Sequence, residues 1–176
     1  MATEPLTMAQ IDALDRAAFV AALGFLFEGS PWVAEAAWPA RPFADRDRLH
    51  QALCAAMYAA PVERQEALIR AHPDLAGKAA VAGELTAEST REQSSAGLDR
   101  LSPEEFARFT QLNQAYRERF AFPFIICVRE HTKASILDNF VARLSHSREQ
   151  EIGAALAEIA KIARLRLFDL VSSAGA

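Results

Sequence analysis

One histidine and one predicted helix carry the residue types in this sequence that could do chemistry. His72 begins a His-Pro-Asp-Leu-Ala-Gly-Lys stretch, and Ser89, Glu92 and Gln93 follow at spacings of three and one residues. On a helix, that spacing puts a hydroxyl, a carboxylate and an amide on one face. Between residues 86 and 97 the only apolar side chains are alanines, so this helix is not there mainly to build a core. A polar strip near a group that titrates close to neutral pH could bind and protonate a small polar ligand.

Both features also have a purely structural explanation. Most polar residues on helices are exposed, so the strip could be a solvated face. His72 follows a predicted helix over residues 62–71, and a histidine cation at a helix C-terminus suits the helix dipole. Pro73 favours an extended backbone at His72, which ends that helix and holds the imidazole at a bend. The residues alone leave both explanations open.

Length and composition bound the classes of protein to consider. A sequence of 176 residues that is 51% apolar and 24% charged fits one globular domain over residues 1–176. The net charge is -4, and no basic stripe indicates binding to nucleic acid. No apolar run is long enough for a membrane span, and residues 1–7 lack the pattern of a signal peptide.

The thiols and imidazoles do not form a recognisable metal motif. Cys54 and Cys127 lie far apart among apolar neighbours, which is typical of buried thiols in a reducing compartment rather than of a disulfide framework. No pair among the histidines has the spacing of a zinc site; these are His50, His72, His131 and His146. The sequence therefore predicts no metal site and a cytoplasmic location.

Capping signals predict a succession of helices. Helix starts are expected at Thr7, Asp15, Ser30-Pro31, Asp45, Pro61 and Ser102-Pro103, and the last two helices are expected near residues 136–144 and 148–171. The run Phe122–Val128 is apolar, rich in β-branched residues and bounded by proline, which favours a buried extended segment. Its backbone N–H groups then need acceptors, and a bound ligand is one possibility. The predicted fold is an all-α, single-domain helical bundle with one short extended apolar segment near residues 122–128.

Several motifs together indicate a family resemblance. They are Ser-Pro-Trp-Val-Ala (30–34), Arg-Pro-Phe (41–43), His-Pro-Asp-Leu-Ala-Gly-Lys (72–78), Ser-x-x-Glu-Gln (89–93), Ala-Gly-Leu (96–98), Leu-Asn-x-x-Tyr (112–116), Phe-Ala-Phe-Pro-Phe-Ile-Ile-Cys (120–127) and Arg-Leu (166–167). In this order and spacing they resemble the 2-oxo-4-hydroxy-4-carboxy-5-ureidoimidazoline (OHCU) decarboxylases of urate degradation. The resemblance covers nearly the whole sequence.

The resemblance implies an all-helical homodimer without metal or organic cofactor. Its expected substrate is the small, unstable product of hydroxyisourate hydrolysis, which such enzymes decarboxylate to (S)-allantoin and carbon dioxide.

The resemblance also implies roles for individual residues. By position, His72 matches the catalytic histidine, and Pro73 lines the pocket beside it. Residues matching substrate-binding positions are Ser89, Glu92, Gln93, Phe124, Ile125, Ile126, Cys127, Val128 and Arg166. The match at residues 124–128 is to backbone that contacts the substrate, and Arg166 matches an arginine that reaches in from the last helix. Ala121 stands where a glycine is common, and the residues after the apolar run, 129–131, lie where members of the family vary.

Two other functions remain open from the residues. A helical domain with an aromatic-rich first third, including Trp32 and Trp38, could be a protein-interaction module whose polar helix contacts a partner. The same scaffold could also be a ligand-binding protein that has lost catalysis, although His72 is present.

Overall fold

The fold is all-α in the part of the protein that the structure describes, which is residues 5–77 and 82–172. No β-strand occurs within those ranges of this computed structural model, where a single parallel bridge joins Leu6 to Val171. The α-helices are α1 (Met8–Ala13), α2 (Arg16–Leu23), α3 (Trp32–Ala37), α4 (Arg46–Ala59), α5 (Val62–Ala71), α6 (Ala87–Ser95), α7 (Pro103–Phe120), α8 (Lys133–Arg143) and α9 (Arg148–Leu170). The predicted fold class is confirmed; Lys78, the last residue of the His72 motif, and both termini lie outside the described residues.

Most helices begin where the capping signals predict. The side chains of Thr7, Asp15, Asp45 and Ser102 each accept a hydrogen bond from a backbone N–H in the first turn of α1, α2, α4 and α7. The prediction at Ser30 differs from the structure. The N-cap of α3 is Pro31, and no side chain caps that helix with a hydrogen bond. The structure adds a cap that the sequence analysis did not single out, a capping box at Thr132 that starts α8 at Lys133.

The protein divides into two compact units. The first runs up to Leu68 and resumes at Ala160, and the second is Ile69–Ile159. In the first unit α3 packs against α2 and α4, around fully buried side chains such as Phe19, Leu23, Leu53 and Met57. That residues 1–176 act as one domain stays a prediction.

The second unit has a core of aromatic rings. Tyr116 of α7 contacts the rings of Phe120, Phe122, Phe124 and Phe140, with centroids 4.6 to 6.1 Å away. These rings are all buried, and they bring α7, α8 and the apolar run together. Residues 122–127 are not helical, so the predicted buried segment is present. Its end differs by one residue, because Val128 begins a 3₁₀ helix, Val128–Glu130.

The turn between α7 and the apolar run passes through a left-handed residue. Ala121 has φ 62° and ψ 24°, and its N–H donates to the C=O of Arg117. A left-handed residue at the end of a helix is usually glycine, because a Cβ is disfavoured there. The helix is therefore terminated at the cost of local strain.

Candidate active site

A tight turn follows His72 directly. Helix α5 ends at Ala71, and the N–H of His72 donates to the C=O of Ile69 at 3.2 Å. His72 is buried, with 7% of its surface exposed. In the turn, Ala76 has φ 49°. A Cβ at Gly77 would come within 2.8 Å of the Cβ of Asp74, so the motif requires a glycine at this position.

The side chain of Gln93 holds this turn. Its Oε1 accepts the N–H of Ala76 at 2.9 Å, and its Nε2 donates to the C=O of Asp74 at 3.4 Å. Gln93 was predicted to bind a ligand, and the structure shows that its amide also binds backbone within the protein. An amide has donors and acceptors beyond these two bonds, so a ligand contact stays compatible with them.

Helix α7 holds the turn from a second direction. The Nδ2 of Asn113 donates to the C=O of Leu75 at 2.8 Å, and the Nε of Arg117 donates to the carboxylate of Asp74 at 2.9 Å. Asn113 and Arg117 are four residues apart, which places them on one face of the helix. The backbone after His72 is therefore fixed by side chains from both α6 and α7.

The polar strip on α6 is covered rather than solvated. Ser89 and Gln93 are only 5% and 6% exposed, and Glu92 is partly buried. Thr86 is the N-cap of α6, and its hydroxyl accepts the N–H of Ser89. The predicted helix is confirmed, and the explanation of the strip as a solvated face is wrong.

Two backbone groups of the apolar run find partners inside the protein. The C=O of Ile125 accepts a hydrogen bond from Nη1 of Arg143 at 2.7 Å. The N–H of Cys127 donates to Oε2 of Glu158 at 2.8 Å. The sequence left open whether such groups bind protein or ligand, and for these two groups the partner is a side chain.

Arg143 is itself held by a fully buried carboxylate. Glu151 is 0% exposed and accepts from Nε and Nη2 of Arg143 at 2.9 to 3.2 Å. Its other partners are the hydroxyl of Tyr116 and Nδ1 of His146, the latter at 2.7 Å. Burial, with this hydrogen bond to Glu151, raises the pKa of Tyr116, so its hydroxyl keeps the proton that it donates. A buried ion needs such saturation with partners.

Most of the predicted site residues lie in the second unit. The 3₁₀ helix at Val128–Glu130 packs against α6, and α6 is bonded to the turn after His72 through Gln93. His72, Pro73, the polar strip of α6 and the run Phe124–Val128 all belong to this unit.

Arg166 belongs to the first unit. Its Nη1 binds Glu28 Oε2 at 2.9 Å and the C=O of Phe25 at 3.2 Å. Both partners of the ion pair are more than nine-tenths buried. The role of Arg166 in binding substrate stays a prediction.

A cleft of about 560 Å³ opens beside another face of α6. Its lining includes Thr90, Gln93, Ser94 and Phe106, and it does not include His72, Ser89 or Glu92. Among the described residues that line the cleft, Gln93 is a predicted site residue and Ala76 belongs to the turn after His72.

The described residues contain neither a cluster of metal ligands nor a membrane-spanning helix. Within residues 5–77 and 82–172, no three side chains of the histidine, cysteine, aspartate or glutamate type are grouped so as to hold a metal ion. Among the described helices, none is long and apolar enough to cross a membrane. Both cysteines are buried, as predicted, and within the described residues neither forms a disulfide bond.

Comparison with known proteins identifies the family. A family model described as OHCU decarboxylase matches residues 12–168. This chain belongs to the OHCU decarboxylase family. Proteins named 2-oxo-4-hydroxy-4-carboxy-5-ureidoimidazoline decarboxylase are similar over nearly their whole length: that of Haloferax volcanii is 43% identical, over 96% of this chain and 98% of its own, and that of Mus musculus is 40% identical, over 96% and 94%. The solved structure of an (S)-allantoin synthase matches with a TM-score of 0.76 at 29% identity, over 97% of this chain and 56% of that one.

Membership of the OHCU decarboxylase family confirms the resemblance seen in the sequence. Several residues that hold the turn after His72 and the apolar run were not identified from the sequence. Asn113 lies in a motif that was noted without a role, and Arg117 follows it by one turn. Arg143, Glu151 and Glu158 carried no signal at all. Apart from His146, which is five residues from Glu151, their partners lie between 8 and 43 residues away in the sequence. No local pattern encodes such pairs.

Proposed function

We propose that this protein catalyses the cofactor-independent decarboxylation of OHCU to (S)-allantoin and carbon dioxide. The observation that carries the proposal is the family match over residues 12–168. The structure supports it with a buried His72 at a turn that is fixed on two sides, in one unit with a covered polar helix face.

The substrate's own chemistry makes the reaction possible without a cofactor. The carbon that bears the carboxylate also bears a hydroxyl, and the adjacent ring carbon belongs to an imine and carries the ureido group. When the bond to the carboxylate breaks, carbon dioxide leaves and its electron pair forms a carbon–carbon double bond, while the imine nitrogen gains a proton. The enol then loses its hydroxyl proton and gains a proton at the ureido-bearing carbon. Enzymes whose substrates lack such a sink use a cofactor to accept these electrons.

His72 is the proposed proton donor or shuttle for these transfers. Imidazole suits this task because it exchanges protons near neutral pH. The turn bonded by Gln93 and Asn113 fixes the backbone that follows the histidine. A fixed geometry lowers the barrier, because the reacting groups need no further ordering.

The remaining predicted residues would orient the substrate. Ser89, Glu92 and Gln93 offer a hydroxyl, a carboxylate and an amide to the ureido and ring groups, and so select the face that is protonated. Pro73 would line the pocket beside the histidine. A guanidinium such as that of Arg166 can bind a carboxylate with two parallel hydrogen bonds, which lysine does not reproduce.

The test starts from urate with uricase and hydroxyisourate hydrolase, adds this protein, and follows the circular dichroism of the allantoin that forms. We expect rapid formation of a single-handed product with the wild-type protein. His72→Ala is expected to form product at the spontaneous rate while it still binds (S)-allantoin in a calorimetric titration. Racemic product at the spontaneous rate with the wild-type protein would refute the proposed function.

A homodimer in the cytoplasm completes the proposal. The family resemblance implies the dimer, and the two buried cysteines suit a reducing compartment. Light scattering on a size-exclusion column gives the mass in solution, and the mass of a monomer would refute the dimer. Microscopy of the tagged protein in its native cell tests the location.

A further inference from the structure

Two side chains outside the predicted site grip the apolar run on either side of Ile126. Arg143 donates to the C=O of Ile125 at 2.7 Å, and Glu158 accepts the N–H of Cys127 at 2.8 Å. The two bonds hold residues that flank a single position. A backbone tied at both neighbours has little freedom to shift or rotate.

The hydrogen bond from Arg143 to the apolar run has a fixed direction, because each nitrogen of the guanidinium donates to a partner. Nη1 binds Ile125, while Nε and Nη2 bind the fully buried Glu151. The guanidinium carbon also lies 4.3 Å from the ring centroid of Phe124, and that ring stacks on Phe140 at 3.7 Å. A planar fork with fixed donors holds a geometry that a lysine ammonium would not.

Helix α9 supplies the anchoring carboxylates. Glu151 and Glu158 are seven residues apart, which is close to two turns of a helix and places both on one side of α9. Glu151 acts through Arg143, and Glu158 acts directly on the backbone. The position of the apolar run therefore follows the position of one helix.

Ile126 is left between the two anchors. Among the described residues, no hydrogen bond to its backbone is present, and the residue is only 3% exposed. Buried backbone donors and acceptors require partners. In the proposed reaction the substrate, which is rich in N–H and C=O groups, supplies them.

We propose that Arg143 and Glu158 are positioning residues that hold the backbone of Ile125–Cys127 so that Ile126 binds the substrate. This inference rests on the proposed function. It adds Arg143 and Glu158 to the predicted site. Both residues lie outside the sequence motifs that pointed to the site, and both act on the backbone rather than on the substrate. It also assigns the C=O of Ile125 and the N–H of Cys127 to the protein rather than to the ligand.

The test uses Glu158, which is only partly buried, so that its variants are expected to fold. Glu158→Ala removes the acceptor for the Cys127 N–H, and Glu158→Gln keeps an amide oxygen in its place. Because a misplacement of about 1 Å can cost about 100-fold in rate, we expect Glu158→Ala to lower kcat by about ten-fold or more and to erode the handedness of the allantoin. Glu158→Gln is expected to recover most of both. Glu149→Ala, which removes an exposed carboxylate from the same helix, is the control for lost charge and is expected to behave as wild type.

Arg143→Lys keeps the positive charge against Glu151 but loses the fork, and the same loss of kcat and handedness is expected. The amide of Cys127, followed by hydrogen exchange, is expected to lose protection in Glu158→Ala and to keep it in Glu158→Gln. Wild-type kcat, KM and product handedness in a folded Glu158→Ala would overturn the positioning role alone. A wild-type protein that does not accelerate the reaction would overturn the proposed function, and this inference with it.

Discussion

Asn113 combines one well-made hydrogen bond with one unpartnered atom. Its Nδ2 donates to the C=O of Leu75 in the turn after His72, whereas its buried Oδ1 has no partner among the described residues. The side chain is 7% exposed. A bond kept in spite of an unsatisfied acceptor indicates that holding the turn outweighs the cost of burying that oxygen.

Removing this amide is expected to destabilise the protein and to slow the reaction. Asn113→Ala leaves the C=O of Leu75 without its donor, and we expect the free energy of unfolding in urea to fall by about 1–3 kcal/mol. Since the turn follows His72, kcat should fall as well. The neighbouring Gln114 is exposed, and its side chain donates to Glu118 of the same helix. Gln114→Ala should therefore change the free energy of unfolding by less than about 0.5 kcal/mol. Equal effects of the two substitutions would contradict the assigned role of Asn113.

For individual residues, the sequence indicated which polar side chains were unusual but not which partners they would bind. His72, Ser89 and Gln93 were singled out as candidate site residues, and all three are buried. Their roles in catalysis and binding stay predictions. That Gln93 would bond to Ala76, seventeen residues away, could not be predicted, because the pairing depends on how α6 meets the turn. The pairing of Arg166 with Glu28 spans 138 residues and has no local signal either.

Among the elements, α6 has few means of stability other than its cap. It is nine residues long, and all its residues except Ala87 are polar. It therefore buries little apolar surface of its own. Thr86 caps its first turn through the N–H of Ser89. The same helix carries the predicted ligand-binding strip, so we expect the stability of α6 and the affinity for ligand to be coupled.

Substitutions at two N-caps, Thr86 and Ser102, distinguish a general loss of stability from an effect of α6 on ligand binding. We expect Thr86→Ala and Ser102→Ala each to lower the free energy of unfolding by about 1 kcal/mol, because each loses one hydrogen bond to a first-turn N–H. Thr86→Ala should also weaken binding of (S)-allantoin, measured by calorimetry, since α6 frays next to Ser89. Ser102 caps α7, whose eighteen residues include many packed side chains, and its substitution should leave affinity unchanged. A parallel loss of affinity in both variants would refute the coupling to α6.

Helix positions were largely predictable because caps and apolar spacing are local. Four of the predicted N-cap residues accept an N–H from the first turn of the helix that follows them; they are Thr7, Asp15, Asp45 and Ser102. The partners of the apolar run were not predictable, because its residues carry no donor pattern of their own. Arg143 and Glu158 reach it only once α8 and α9 have packed.

For the molecule as a whole, the buried thiol of Cys54 makes the free energy of unfolding depend on pH in the alkaline range. Burial raises the pKa of the Cys54 thiol to about 11, and burial, followed by the proximity of Cys54, raises the pKa of Tyr58. An unfolded thiol ionises near pH 8.5, so the native state binds this proton more tightly. The resulting stabilisation is complete below about pH 8.5 and is lost as the pH rises to about 11.

Cys54→Ala removes this titrating group. We expect the free energy of unfolding of the wild-type protein to fall more steeply between about pH 8.5 and 11 than that of the variant. The comparison concerns the slope, because the substitution also removes buried volume at every pH. Urea unfolding at a series of pH values gives both curves. Parallel curves would show that the native thiol ionises no less readily than the unfolded one.

The left-handed Ala121 gives the molecule a reserve for tolerating mutations. Ala121→Gly would release a strain of about 1 kcal/mol, less the added entropy of the unfolded state. In a genetic selection for activity, this substitution would act as a second-site suppressor of destabilising changes elsewhere, such as Thr86→Ala, because the effects of distant sites add. A single nucleotide change, GCN to GGN, converts this alanine to glycine and would raise the stability of the protein.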